Sequence, residues 1–194
     1  MAIAFDASSG DFSGGTTALT ISHTCTGSNR LLLVSFLTNN TTDIVTGVTY
    51  NSVAMTKLKQ QGDTVNSYLM YTYGLLAPAT GANNVVISFS SSSVCYAANN
   101  SYTGVSQSGL PDATSGSQAS GTTWSDTITT VADNCWHHVA VRTNGSFVVS
   151  AGGIARQITN NIMGTADSNT DITPAGAHTI NGTCTDSGAN QVIS

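Results

Sequence analysis

Short stretches in which apolar and polar residues alternate recur along the chain. From residue 18 to residue 24, Leu19, Ile21 and His23 fall on one face and threonine and serine on the other. Residues 30–38 form a nearly continuous apolar run, which is typical of a central strand covered on both faces. Two further β-prone runs, 45–50 and 53–58, flank Asn51-Ser52. A two-residue connection of this kind predicts a tight hairpin, because Asn readily adopts positive φ.

The same pattern continues to the end of the chain, and no segment shows an apolar period of 3.6 residues over three turns. The sequence therefore predicts an all-β protein with almost no helix. We expect a two-sheet antiparallel β-sandwich, jelly-roll-like, with about 10–12 strands separated by short turns. A single domain over residues 1–194 fits the length. The stretch 104–120, rich in Gly and Ser, predicts a long loop that is either functional or a crossover between the sheets.

Composition supports this fold and limits the function. Charged residues make up only 8% of the chain, and all ten acidic residues are Asp. Glu, Lys and Arg, which favour helix surfaces, are nearly missing. The net charge of -5 provides no basic stripe for nucleic acid and no polybasic patch for a membrane surface.

The chain shows no signal for membrane insertion or export. The longest apolar runs are far too short to span a bilayer. The first six residues lack the positive charge and apolar stretch of a secretory signal. We therefore expect assembly in the cytoplasm, the alternative being that a signal has been removed.

Four cysteines, Cys25, Cys95, Cys135 and Cys184, lack the C-x-x-C spacing of a zinc site. Two disulfides and four buried thiols both remain open, and thiols are favoured because a chain of this size does not need disulfides for stability.

Candidate chemistry is sparse. The sequence contains no nucleophile elbow and no phosphate-binding glycine loop with its lysine. His137 and His138 are adjacent, so on a strand they point to opposite faces and cannot readily bind one metal. We therefore predict a non-enzymatic protein with no catalytic residues, no cofactor and no metal.

Two weaker site hypotheses remain. Asp167, Asn169 and Asp171 place oxygen ligands at alternating positions, as at the start of a calcium loop. However, Ile172 stands where such a loop needs glycine, and an Asx-rich turn is the simpler interpretation. Exposed aromatic residues could also stack on sugar rings, although packing within the sandwich is the more common role. The candidates for stacking are Tyr68, Tyr71, Tyr73, Trp124 and Trp136.

Several segments in order along the chain resemble a β-sandwich module of phage virion structural proteins, of the capsid-decoration or head-fibre type. The segments are 30–34, 45–56, 71–86, 101–105, 132–136 and 166–176. This resemblance implies a jelly-roll-like fold, no catalysis and a place in the virion. The partners it implies are the major capsid protein or other virion proteins, with a homo-oligomer expected.

A second, local resemblance covers six residues. Trp136-His137-His138-Val139-Ala140-Val141 is similar to a strand of laminin-G and pentraxin-like lectin folds. It implies an alternative function, carbohydrate binding to a host surface glycan. Exposure of the aromatic residues discriminates between the two functions.

Overall fold

The alternating pattern produces strands along nearly the whole chain. The computed structural model describes residues 2–63, 67–143, 145–185 and 189–194, and those residues form fifteen strands and no helix. In chain order the strands are β1 (Ala4–Cys25), β2 (Leu31–Thr38), β3 (Val45–Tyr50), β4 (Val53–Ala54), β5 (Thr56–Asp63), β6 (Tyr68–Leu76), β7 (Gly81–Thr103), β8 (Gly116–Ser120), β9 (Thr123–Thr129), β10 (His138–Arg142), β11 (Val148–Ala151), β12 (Ile154–Thr159), β13 (Met163–Asp167), β14 (Ala177–Thr183) and β15 (Ala189–Ile193).

The first seven strands form one sheet that curls around an apolar core. The long strand β7 pairs with β1 along one edge, and with β3 and then β2 along the other. The sheet continues from β2 through β6 to β5, and from β3 to β4. Phe36, Tyr50, Tyr71 and Ile87, all fully buried, fill the space between its two halves.

The remaining strands form two smaller sheets around a second core. One sheet has the order β12-β13-β10-β15-β8 and the other the order β11-β14-β9. Trp124, Phe147 and Ile180 pack between them, with the Trp124 and Phe147 rings stacked at 5.2 Å. Gly164 faces the Phe147 ring, and an added methyl group there would overlap it.

The two sandwiches pack against each other along a seam. On β2, Leu32, Val34 and Phe36 face the first core, whereas Leu37 packs with Ala140 and Met163 of the second sandwich. This arrangement buries all eight residues of β2. The seam therefore joins the outer face of the first sheet to the sheet that contains β10, β13 and β15.

The expected all-β, antiparallel, sandwich-like fold is confirmed. The Asn51-Ser52 hairpin is also confirmed, since both residues have positive φ and Tyr50 pairs with Val53. The described residues form three sheets and fifteen strands, more than the two sheets and about 10–12 strands expected from the alternating pattern. The sequence pattern missed the first half of β1, a serine- and glycine-rich stretch that is held by pairing with distant residues of β7.

Candidate functional site

A cavity of about 790 Å³ lies at one end of the seam. Leu31 and Leu33 of β2 and Leu58 of β5 form its apolar floor, and Trp136 lies against it from the second sandwich. The loop that begins at Gly104 covers it, with Leu110 contributing to the apolar lining. Cavities of this size, mostly apolar and placed between packed units, are where small molecules commonly bind.

A buried polar network closes the inner end of the cavity. The Tyr102 hydroxyl donates to Asp167 Oδ2 at 3.0 Å and lies 3.0 Å from His138 Nδ1. Arg156 donates to both Asp167 oxygens, each at 2.7 Å, through Nε and one terminal nitrogen. The backbone N–H of Asn169 adds a further bond to the same carboxylate. The Arg156 guanidinium thus balances the charge of the Asp167 carboxylate, and both carboxylate oxygens accept hydrogen bonds in a place from which water is excluded.

His138 is a neutral ring at the edge of the cavity. Burial lowers its pKa from 6.5 to about 4, although the Asp167 charge acts in the opposite direction. The Tyr102 hydroxyl has one proton and donates it to Asp167. His138 must therefore donate its Nδ1–H to the Tyr102 oxygen. Its Nε2 then carries the lone pair and faces the Ser35 hydroxyl at 3.4 Å.

The Ser35 and His138 pair resembles a nucleophile and base in composition, but its geometry does not suit nucleophilic catalysis. Ser35 is fully buried and does not line the cavity. Its hydroxyl also lies 3.1 Å from the Thr72 hydroxyl, which is a closer partner than the imidazole. A nucleophile must reach a substrate carbonyl as well as its base, and Ser35 reaches only its neighbours in the seam.

A second ionisable cluster lies within the second sandwich. His137 Nε2 is 2.9 Å from Asp126 Oδ2, and His137 Nδ1 is 3.2 Å from His178 Nδ1. Although burial opposes it, hydrogen bonds from His137 and Ser115 hold the pKa of Asp126 below its usual value. Both ring nitrogens of His137 are therefore within hydrogen-bonding distance of neighbouring side chains. Within the described ranges no group of three or more His, Cys, Asp or Glu residues has a metal-binding arrangement.

The structure confirms that the adjacent histidines face opposite sides of their sheet. His137 points toward Asp126 in the second sandwich, and His138 points into the seam toward Tyr102.

In the structure Arg156 contacts two of the three residues of the weaker calcium hypothesis, Asp167 and Asn169. Arg156 bonds to Asp167 and also donates to Asn169 Oδ1 at 2.6 Å. Asp171 accepts a hydrogen bond from the Trp136 indole N–H at 2.9 Å. The oxygens that the calcium hypothesis named are therefore hydrogen-bonded to nitrogen donors within the chain.

Three of the five candidates for sugar stacking are buried in the two cores. Tyr71 and Tyr73 stack on Phe36 in the first core, and Trp124 stacks on Phe147 in the second. The exposed fractions of the three side chains are 0%, 6% and 2%. The other two candidates are partly exposed: Tyr68 lies beneath the Arg142 guanidinium, and Trp136 lines the cavity.

All four cysteines are free thiols. Cys25, Cys95 and Cys184 are buried, and Cys135 is partly exposed on the cavity wall. Burial raises the pKa of Cys25, Cys95 and Cys135, so these thiols stay protonated at neutral pH.

Sequence reasoning missed Lys59 as a site residue. Lys57 pairs with Tyr73, but a β-bulge at Leu58 shifts the register so that Lys59 pairs with Thr72. Tyr73 faces the first core and Thr72 lines the cavity, so the bulge sends the two lysines to opposite faces of β5. No local sequence signal marks this bulge.

Comparison with protein-family models gives no match, and comparison with curated proteins gives no significant one.

In the described part of the chain there is no helix of the length and apolarity needed to cross a membrane.

Proposed function

We propose that this chain is a non-enzymatic structural protein of a phage virion, most simply a capsid decoration protein that acts through its contact surface. The observation that carries the proposal is that the ionisable side chains serve the fold. The ion pair of Arg156 with Asp167 joins two strands of one sheet, and His137 with Asp126 joins the two smaller sheets. The proposed role therefore depends on contact area and not on reacting groups.

Two further positive charges are also bonded within the chain. Lys57 pairs with Asp43 at 2.7 Å, and Arg30 donates to the carbonyl oxygens of Gly27 and Pro78. The outer surface consequently presents mainly uncharged hydroxyl and amide groups. Such a surface packs closely against neighbouring proteins at little desolvation cost compared with a charged one.

The segment from β11 to β12, two strands that belong to different sheets, is the best candidate for a contact surface. Val148, Ile154 and Ile158 on this segment are 48%, 48% and 44% exposed. Exposed large apolar residues are typical of surfaces that bind another protein. A major capsid protein or a second copy of the chain fits this surface.

The proposal is tested with phage particles purified from the host that carries this gene. Quantitative mass spectrometry should find the chain at a fixed ratio to the major capsid protein. Because the surface is nearly uncharged, attachment should resist a wash in 1 M salt, a concentration (about 3 Å Debye length) that weakens contacts between charges. Absence from the particles, or a copy number that varies between preparations, would refute the proposal.

Rebinding of recombinant protein to stripped particles tests the contact surface. Ile154→Asn combined with Ile158→Asn should weaken rebinding. The matched control is Val53→Asn, since Val53 is 53% exposed on the edge strand β4. Equal loss of rebinding in the two variants would show that the β11–β12 segment is not the contact surface.

Carbohydrate binding is the alternative function, and one feature favours it: Trp136 lies on the wall of an open cavity. The burial of Tyr71, Tyr73 and Trp124 removes three of the five candidates for stacking on an extended sugar chain. A glycan array separates the two functions. Strong binding to one glycan class, lost in Trp136→Ala, would favour the alternative.

A further inference from the structure

The seam cavity combines an apolar body with a single cationic group. Leu31, Leu33 and Leu58 supply the apolar floor, and Leu110 and Trp136 add further apolar surface. Leu110 and Trp136 remain partly exposed although they belong to an apolar cluster. When an apolar ligand covers the exposed surface of apolar groups inside a cavity, the free energy of the complex is lowered.

Lys59 supplies the positive charge. Thr72, its register partner across β6, lines the cavity, and Lys59 lines it too. The side chain is partly buried and makes no hydrogen bond or ion pair with any residue that the structure describes. Among the described cavity residues Lys59 is the one lysine or arginine, and an ammonium group without a partner at a cavity wall attracts an anion.

The acidic groups around the cavity are already bonded. Asp167 is paired with Arg156, as described above. Asp112 accepts a hydrogen bond from the backbone N–H of Val131, and Asp133 accepts one from the N–H of Ala175, both at 2.6 Å. These hydrogen bonds hold the carboxylates of Asp112 and Asp133 against backbone N–H groups. His138, which also lines the cavity, is uncharged at neutral pH.

From this arrangement we infer that the cavity binds a small amphipathic anion, with an apolar chain or ring on the leucine floor and a carboxylate or sulfonate on Lys59. The volume of about 790 Å³ accommodates a molecule of medium-chain fatty-acid size. This site is independent of any role in a virion, because it depends only on the seam between the two sandwiches.

The first experiment compares two ligands on the unmodified protein. Anilinonaphthalene sulfonate, a fluorescent apolar anion, should bind with saturation at one site per chain. Decanoate should displace it, and decanamide, which has the same chain without the charge, should displace it about fivefold less well. Equal displacement by the two competitors, or no saturable binding, would overturn the inference.

Two lysine variants test the position of the anion. Lys59→Met should weaken decanoate binding about fivefold and leave decanamide binding unchanged. Lys57→Met is the matched control, because it removes the same charge from the opposite face of β5. An equal effect of the two substitutions would mean that net charge alone attracts the anion. Circular dichroism and the melting temperature establish that each variant is folded.

Protection of a thiol locates the ligand without any substitution. Cys135 lines the cavity and the other three cysteines are buried. Saturating decanoate should therefore slow alkylation of Cys135 by N-ethylmaleimide, as measured by peptide mass spectrometry. An alkylation rate unchanged by decanoate would place the bound anion elsewhere and refute the assignment of this cavity.

Discussion

Mild acid should destabilise this protein through two buried histidines. His23 lies at the end of the first core with 2% of its surface exposed, and its Nδ1 is 2.9 Å from the Ser9 hydroxyl. Burial lowers its pKa from 6.5 to about 4, against a smaller opposite effect of Asp6. His138 in the seam has a pKa lowered to about the same value. Both rings are neutral in the folded protein at pH values where the unfolded chain is protonated.

The sign and size of the effect follow from these pKa values. A histidine whose pKa is lower in the folded state than in the unfolded state makes its full contribution to stability above pH 6.5. That contribution is lost as the pH falls from 6.5 toward 4. For His23 the difference between 6.5 and about 4 corresponds to about 3 kcal/mol of unfolding free energy. His138 keeps accessible surface on the cavity, so solvent screening reduces its share to about 1–2 kcal/mol. The paired carboxylates of Asp6, Asp43 and Asp126 have lowered pKa values and lose their stabilising effect only below this window.

Urea unfolding at pH 7.0, 5.5 and 4.5, followed by tryptophan fluorescence, measures the effect. The wild-type free energy of unfolding should fall by about 3–4 kcal/mol over this range. His23→Gln keeps a hydrogen-bonding side chain but does not titrate, so most of this pH dependence should disappear in that variant. A wild-type stability that is constant from pH 7.0 to 4.5 would refute the reasoning. So would a His23→Gln variant with the full wild-type slope.

Three further predictions concern packing and pairing. Asp167→Asn leaves the Arg156 guanidinium without its counter-charge, so the free energy of unfolding from urea titration should fall by about 3–5 kcal/mol. Gly164→Ala forces the Phe147 ring to move and should cost about 1–3 kcal/mol. Gly47→Ala, at a strand position with open space around it, should stay within about 0.5 kcal/mol of wild type; equal costs for the two glycine variants would contradict the packing argument. A thiol reagent should modify one cysteine per folded chain and four after unfolding, and fast reaction of a second thiol in the folded protein would contradict the burial of the other three.

The features that sequence predicted correctly are local ones. The Asn51-Ser52 hairpin depends on two residues that tolerate positive φ between β-prone runs. The opposite orientation of His137 and His138 follows from the two-residue period of a strand. The continuous apolar run of β2 predicted a strand covered on both faces, and all eight of its residues are buried. Each of these inferences needs only neighbouring residues, so each can be read from a single segment.

Tertiary structure alone determined the site. Arg156 reaches Asp167 because β12 and β13 pair, and Tyr102 meets His138 because the two sandwiches pack along their seam. Lys59 faces the cavity only because a bulge shifts its register relative to β6. Residues far apart in the chain create the cavity, and strand pairing between distant segments leaves no periodic trace in the sequence. The alternation of apolar and polar residues thus determines which faces are buried, whereas the pairing of strands determines which buried groups meet.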